Sequence, residues 1–170
     1  MTKDQKTVAI GAASGIVGMI LLVWIIASSI PEPVVIDSNG DRLAYAFRWS
    51  VVAVLPLFAM LAAVGNARFL SEAIDPTLGK ESQSMIVDGR VADNTLQQFV
   101  CFLVGITALS VSVPIERISY VPAVAITFVI CRMVFWIGYR IHPLYRAPGF
   151  SSTAYMNLSM FIAVIWMRLA

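Results

Sequence analysis

The sequence predicts an all-α integral membrane protein, a bundle of five transmembrane helices. Of its 170 residues, 59% are hydrophobic and only 13% are charged, and the mean hydropathy is +0.81. An ordinary soluble domain is about 25% charged. The charges are also clustered, since Val8 to Ile30, Leu96 to Val113 and Val121 to Cys131 contain none. A soluble helical bundle with a large core is the alternative, and this clustering disfavours it.

The first span runs from Val8 to Ile30, long enough to cross a hydrocarbon core of about 30 Å as a helix. Lys3 and Lys6 precede it and the small residues Ala27 to Ser29 lie at its end, a pattern that a secretory signal peptide also shows. The apolar run is longer than the usual h-region of about 7–15 residues, and Pro31 follows it as a helix stop. We therefore expect a retained transmembrane helix.

Four further spans follow, and one membrane domain, residues 1–170, accounts for the whole chain. They run from Leu43 to Leu70, Leu96 to Val113, Val121 to Tyr139 and Ser152 to Met167. The last is short, but Arg168 can extend from its end to the membrane surface. The predicted connections are a turn-rich segment, Pro31 to Arg42; a polar loop, Ser71 to Gly89; a tight turn, Pro114 to Ser119; and a basic loop, Arg140 to Phe150.

The distribution of basic residues predicts a cytoplasmic amino terminus. In that orientation the larger group lies inside: Lys3, Lys6, Arg68, Lys80, Arg90, Arg140 and Arg146. The smaller group lies outside: Arg42, Arg48, Arg117 and Arg168. A site built from the loops at 71–90 and 140–150 would then open towards the cytosol. The membrane would be the cell or inner membrane of a bacterium, or an endomembrane of a eukaryotic cell.

A polar stripe marks the start of the third span. Its members are spaced three and four residues apart and share one helix face: Arg90, Asp93, Asn94, Gln97, Gln98 and Cys101. For Arg90 and Asp93, hydration of a helix end is an equally simple explanation. The amides from Asn94 to Gln98 enter the hydrocarbon, where amides need partners on other helices.

Arg132 lies in the middle of the fourth span. A guanidinium near the bilayer centre costs about 2.5–3.5 kcal/mol on insertion scales, so it usually faces a protein interior or a wet cavity. The helical period places Phe135, Trp136 and Tyr139 on its face, with Tyr139 roughly 10 Å nearer the cytoplasm. Trp136 and Tyr139 also fit an aromatic belt at the membrane surface, and Arg132 also fits a structural pairing between helices.

Two segments of the sequence, taken together, are specific enough to indicate a protein family. The first is Arg90 to Phe99 (RVADNTLQQF), and the second is Arg132 to Arg140 (RMVFWIGYR) followed by Arg146 to Phe150 (RAPGF). Together they resemble the MAPEG superfamily, the membrane-associated proteins in eicosanoid and glutathione metabolism. The resemblance covers about Leu43 to Trp166. It is closer to distant bacterial and mattrin-like members than to leukotriene or prostaglandin enzymes.

The resemblance implies a homotrimer of four-helix cores, residues 43–170 here, with residues 8–30 as an additional helix. It implies glutathione as the cofactor, held between neighbouring subunits near the cytoplasmic face. Arg90 and Asn94 would contact it, Arg132 would be the buried arginine of the penultimate helix, and Tyr139 would be the tyrosine that contacts glutathione. Arginine forks suit the two carboxylates of this ligand, and a nearby cation or hydroxyl favours ionisation of its thiol.

Two positions depart from the family pattern. Gln97 stands where the motif commonly has a glutamate, so it keeps an acceptor oxygen but lacks the charge that would hold the ligand's amino group. Asp93, four residues earlier on the same face, is placed to compensate. Phe135 occupies a position where some members have histidine.

The sequence gives little support for a metal site, a nucleophilic triad, a redox cysteine or a nucleic acid partner. The sole histidine, His142, lies beside Pro143 in the basic loop, so one chain cannot assemble a His-based metal site or a nucleophilic triad, and we expect no metal. Cys101 and Cys131 are expected to be inert packing residues. The net charge of +2 gives no reason to expect a nucleic acid partner.

Two functions from different classes fit these residues. In the first, a glutathione-dependent transferase or peroxidase acts on lipophilic small molecules from the bilayer. Arg132 and Tyr139 would be catalytic, and Arg90, Asn94, Gln97 and Asp93 would bind the cofactor. In the second, a non-catalytic MAPEG-fold homotrimer uses the same polar stripes to hold its subunits together or to bind membrane lipids.

Overall fold

A computed structural model describes residues 1–31 and 36–169 as an antiparallel bundle of five long helices. They are α1 (Lys3–Ser29), α2 (Asn39–Phe69), α3 (Gln83–Ser112), α4 (Tyr120–Ile141) and α5 (Ala147–Leu169). Short 3₁₀ turns connect them at Glu72–Ile74, Pro76–Leu78, Ile115–Arg117 and Pro143–Arg146. All five helices are long and apolar enough to cross a membrane, which confirms the predicted all-α bundle of five spans.

Polar side chains fix where the first three helices begin. Thr2 and Gln5 form a reciprocal capping box at α1, and Ser38 and Asp41 form another at α2. At α3 the Ser82 hydroxyl accepts a hydrogen bond from the amide of Met85. These caps satisfy amide groups that the first helical turn leaves without partners.

Two predicted boundaries are wrong, in both cases because a helix begins inside a segment that the sequence analysis assigned to a loop. The segment Ser71 to Gly89 is not a loop throughout, since α3 already begins at Gln83. Its first turns bury Asp88, which pairs with Arg140 of α4 and therefore belongs to a packed helix face. The last span likewise starts at Ala147 rather than Ser152. Part of the predicted turn-rich segment, residues 32–35, lies outside the described residues.

The core between α2, α3, α4 and α5 is apolar along most of its length. Phe102 of α3 and Phe128 of α4 lie at its centre, fully buried, with ring centroids 4.6 Å apart. Arg42 near the start of α2 donates to the carbonyl oxygens of Ser110 and Val113, at 3.1 and 2.6 Å. It thereby satisfies carbonyl groups at the end of α3 that have no helical partner.

Helix α1 packs mainly against α5, and small residues such as Gly15 and Ser152 form the contact. A Cβ atom on Gly15 would overlap the backbone carbonyl of Pro148, so this crossing requires glycine. Ser152 donates to the Gly15 carbonyl at 2.8 Å, and Ser151 donates to the Ala12 carbonyl at 3.1 Å. Close backbone approach with hydroxyl bonds of this kind is typical of helix packing in membranes.

Candidate functional site

Arg132 is fully buried and joins three helices. Its Nε donates to Thr95 Oγ1 of α3 at 3.1 Å, and its Nη2 donates to the same oxygen at 2.7 Å. Nη2 also donates to Asn94 Oδ1 at 3.0 Å, and Nη1 donates to Thr153 Oγ1 of α5 at 3.1 Å. Neutral oxygens therefore accept most of the five N–H groups that a guanidinium carries.

No carboxylate pairs with Arg132 within the described residues. The ion pairs there are Arg68–Glu81, Lys80–Glu72 and Arg140–Asp88. The guanidinium carbon of Arg132 instead lies 4.0 Å from the ring centroid of Phe135, a cation–π contact. An uncompensated positive charge in an apolar bundle raises the local potential and favours an anion nearby.

A cavity of about 550 Å³ lies beside this cluster, in the volume range of about 300–1,000 Å³ that small-molecule sites occupy. It opens where α1, α3 and α5 begin and α4 ends. The polar side chains that line it are Arg90, Asn94, Tyr139, Arg146, Ser151 and Tyr155. The remaining wall is Val8, Ala12, Phe135, Pro143, Leu144, Ala147 and Phe150. Of the residues that the structure describes, two arginines and no carboxylate therefore face this space.

Tyr139 and Arg146 form a pair on the cavity wall. Arg146 Nη1 donates to the Tyr139 hydroxyl oxygen at 3.2 Å, and its guanidinium carbon lies 5.0 Å from the centre of the tyrosine ring. The Tyr139 oxygen thus serves as an acceptor, which leaves its own O–H free to donate to a ligand. Tyr139 also packs edge-on against Phe135, with ring centroids 5.9 Å apart.

The structure brings together only some of the residues that the sequence indicated. Arg90, Asn94 and Tyr139 line one cavity, and Arg132 reaches it through Asn94. Asp93 and Gln97 are exposed and do not line the cavity within one chain. The remaining members of the stripe have other surroundings: Gln98 accepts a bond from Asn157 at 3.0 Å, and Cys101 is exposed.

Several residues that support the site were not recognised from the sequence. Thr95 and Thr153 hold Arg132, and Arg146 faces the cavity although the sequence analysis assigned it only to the basic loop. Arg146 does belong to the motif RAPGF, which was the one available indication. Asp88 is buried and accepts hydrogen bonds from Trp136 Nε1 at 2.7 Å and from Arg140 at 2.7 and 2.9 Å.

The described residues offer no group of three His, Cys, Asp or Glu side chains that could hold a metal ion. His142 has a local structural contact, since its Nδ1 accepts a hydrogen bond from the Leu144 amide at 3.2 Å. Cys131 is buried. The chemistry of this region therefore rests on arginine, tyrosine and amide groups.

Residues 46–166 match the family model described as MAPEG family. The chain belongs to the MAPEG family. The match includes every polar residue of the cavity and of the Arg132 cluster, whereas Val8 and Ala12 on α1 lie outside it. The structural and family results agree on a multi-pass membrane protein.

Two curated relatives carry the same name. Transmembrane protein 79 of Mus musculus and that of Bos taurus are each 22% identical to this chain over 127 residues, which is 75% of the chain. Those residues make up 32% of each relative, so the chain spans about a third of their length. No solved structure matches the chain significantly.

Proposed function

We propose that this MAPEG-family protein binds glutathione in the 550 Å³ cavity and joins it, through its sulfur, to lipophilic electrophiles from the bilayer. The observation that carries the proposal is the charge of the cavity. Arg90 and Arg146 line it without any carboxylate, and the positive charge of Arg132 lies directly behind Asn94. A small ligand with more than one anionic group would neutralise this region.

The chemistry of glutathione fits these donors. Its two carboxylates are planar acceptors, and arginine binds such groups with two parallel hydrogen bonds. Arg90 and Arg146 come from different elements, the start of α3 and the turn before α5, so each can take a separate carboxylate. The Asn94 amide offers a further polar contact in the same wall.

We assign the Tyr139 hydroxyl as the hydrogen-bond donor to the thiol of glutathione. The hydroxyl oxygen accepts from Arg146, and this charge-assisted bond polarises the O–H that would donate to the thiol of the ligand. A hydroxyl donor and nearby guanidinium groups stabilise a thiolate, which is the nucleophilic form of sulfur. The thiol proton passes to solvent water in the cavity mouth. The thiolate then attacks an electrophilic carbon, a carbon–sulfur bond forms, and the bond to the leaving group breaks with its electron pair.

Arg132 acts in this proposal as a positioning residue. It is fully buried and does not line the cavity. Its bond to Asn94 and its contact with Phe135 fix two parts of the cavity wall. The electrostatic effect of its charge reaches the ligand because the surrounding protein is apolar and screens it weakly.

A homotrimer is part of the proposal, because Asp93 and Gln97 are exposed on a helix that spans the membrane. Polar groups facing lipid are costly, and a neighbouring copy of the chain would cover them. Asp93 would then be placed to hold the ligand's amino group across the boundary between copies. The mass of the protein in mild detergent by native mass spectrometry checks the number of copies.

The arrangement of Arg132 also favours a second candidate, a non-catalytic MAPEG-fold protein. Its guanidinium is already bonded to side chains of both α3 and α5. That is the geometry of a structural connection between helices. Under this alternative the cavity holds an anionic ligand or lipid without chemistry.

Single-turnover conjugation separates the two candidates. The protein in nanodiscs is saturated with glutathione and mixed with a hydrophobic aryl halide, and the thioether is quantified by mass spectrometry. Formation well above the uncatalysed rate, with loss of that rate in Tyr139→Phe, supports the transferase. Saturable glutathione binding with only the uncatalysed rate of thioether formation would favour the non-catalytic candidate.

A further inference from the structure

A second cavity, of about 440 Å³, lies at the other end of the bundle. It opens where α1, α3 and α5 end and α4 begins. Residues of α1, including Met19 and Trp24, form one wall, and Met156 and Met160 of α5 form part of the floor. This groove has no part in the proposed glutathione chemistry.

The floor of the groove is buried and apolar. Leu109, Val124, Met156 and Met160 are each at most 6% exposed. Methionine side chains are flexible and polarizable, so they adapt to a chain-like ligand more readily than branched residues do. Trp24 and Tyr120 stand at the rim with 62% and 37% of their surface exposed. Such amphipathic rings are enriched at the level of lipid headgroups.

Among the described residues, one charged residue lines this groove, Arg117 in the turn between α3 and α4. Its guanidinium makes no hydrogen bond or ion pair to any other residue of the described chain. Arg42, near the same end, is different because its guanidinium is bonded to the carbonyl oxygens of Ser110 and Val113. The groove thus combines a long apolar floor with a single unpaired cation.

We propose that this groove binds an anionic phospholipid, with the headgroup phosphate on Arg117 and an acyl chain on the methionine floor. A free phosphate or another water-soluble anion would leave the apolar floor uncovered. A zwitterionic lipid would match the floor but would place a second, positive group beside the arginine. The wall from α1 lies outside residues 46–166, so the groove is a feature of this chain and not of the matched family segment.

The test is native mass spectrometry of the delipidated protein in micelles containing equal amounts of phosphatidylglycerol and phosphatidylcholine. We expect retained phosphatidylglycerol in preference to phosphatidylcholine. Arg117→Gln should lower that retention about tenfold, as the loss of a charge-assisted bond predicts. Ala163→Phe, which fills the groove while keeping the arginine, should lower it as well.

Two matched controls accompany these variants. Arg168→Gln removes an exposed charge at the same end of the bundle, and Ala13→Phe adds a ring to an exposed position of α1 that lines none of the cavities described above. Both should retain lipid as the parent protein does. If Ala163→Phe fails to fold, Ser159→Leu fills the same groove from an exposed position of α5.

Three results would overturn the proposal. Equal retention of the two lipids would show that Arg117 does not select an anion. Loss of lipid in Arg117→Gln with normal retention in the folded groove-filling variant would reveal a headgroup contact without a seated chain. A lipid-free oligomer that Ala163→Phe dissociates would show that a second copy of the chain occupies the groove.

Discussion

Arg132 Nη2 donates to Asn94 Oδ1 at 3.0 Å, and this bond connects a fully buried cation to the wall of the candidate cavity. The amide oxygen of Asn94 accepts from Arg132, so its NH₂ group remains available for other partners. The orientation of a cavity residue is thereby set by a residue that does not itself line the cavity.

Replacing Arg132 should test whether it acts through position and charge or only through volume. Arg132→Ala removes its bonds to Asn94, Thr95 and Thr153 and leaves a hole in the packing. We expect a loss of about 2–4 kcal/mol in unfolding free energy. Thermal and SDS denaturation in mixed micelles measure it.

Arg132→Met keeps most of the side-chain volume, and exposed Arg48→Ala is the surface control, expected within about 0.5 kcal/mol of the parent protein. We expect Arg132→Met to fold and to lose most glutathione binding. Normal ligand binding in a folded Arg132→Met protein would show that the arginine is structural only.

Tyr139→Phe should separate ligand binding from thiol activation. The phenyl ring keeps its packing against Phe135 and Arg146, while the hydroxyl that we assign to the thiol is lost. We expect kcat to fall about 10–100-fold, the size of one hydrogen bond to a charged group, with a change of only a few-fold in the glutathione Kd.

Steady-state conjugation kinetics measure kcat, and calorimetry measures the glutathione Kd. Tyr145→Phe is the matched control because Tyr145 is an exposed tyrosine of the adjacent turn and does not line the cavity. Equal kcat for Tyr139→Phe and the parent protein would remove the hydroxyl from the mechanism.

The contribution of α1 to the cavity can be tested at Ala12. Its side chain lines the cavity, so Ala12→Phe places a ring inside it, whereas Ala13→Phe places the same ring on the exposed side of the helix. We expect at least tenfold weaker glutathione binding for Ala12→Phe, since about 1.4 kcal/mol of steric cost suffices for that factor. Identical binding by the two variants would mean that the ligand does not approach α1.

Asp88 should stabilise the end of the bundle that holds the candidate cavity. Its carboxylate is buried and accepts hydrogen bonds from Trp136 and from both Nε and Nη2 of Arg140. The Arg140 side chain is 50% exposed, so solvent screens the pair. We therefore expect Asp88→Asn to cost about 1–3 kcal/mol, below the cost for a fully buried ion pair.

Chemical denaturation of Asp88→Asn, with exposed Asp4→Asn as its control, measures that cost. The second expected effect is weaker glutathione binding, because α3 and α4 carry Arg90 and Tyr139. Unchanged stability would show that the ion pair contributes nothing beyond solvation.

The sequence predicts the five spans because apolar runs report directly on the cost of transferring a segment into lipid. It also singles out Arg132, since a cation in such a run needs an explanation. The partners of Arg132 were not predictable, because Thr95 and Thr153 resemble any other small hydroxyl residue until the register between helices is known. The sequence analysis placed Asp88 in a loop for a related reason. A hydropathy scale scores every aspartate as polar, and it does not register that an ion pair allows this one to be buried in a helix.

The cavity itself depends on tertiary packing that periodicity does not specify. Nothing in the sequence identifies Pro148 as the residue on which Gly11 and Gly15 of α1 pack. Once α1 lies on α5, Val8 and Ala12 become cavity residues. The same geometry places Asp93 and Gln97 of the predicted cofactor set outside the cavity in a single chain. Their proposed role in ligand binding therefore depends on the arrangement of copies.

The most direct test of the proposed function is equilibrium binding of glutathione to the protein in nanodiscs by calorimetry. The parent protein and the control Arg168→Gln should bind saturably at millimolar concentrations or below. The double variant Arg90→Gln with Arg146→Gln should bind at least about 100-fold more weakly, because each lost guanidinium removes a bond of about 1.5–3 kcal/mol. Absence of saturable binding by the parent protein, or equal affinity in the double variant, would contradict a glutathione site in this cavity.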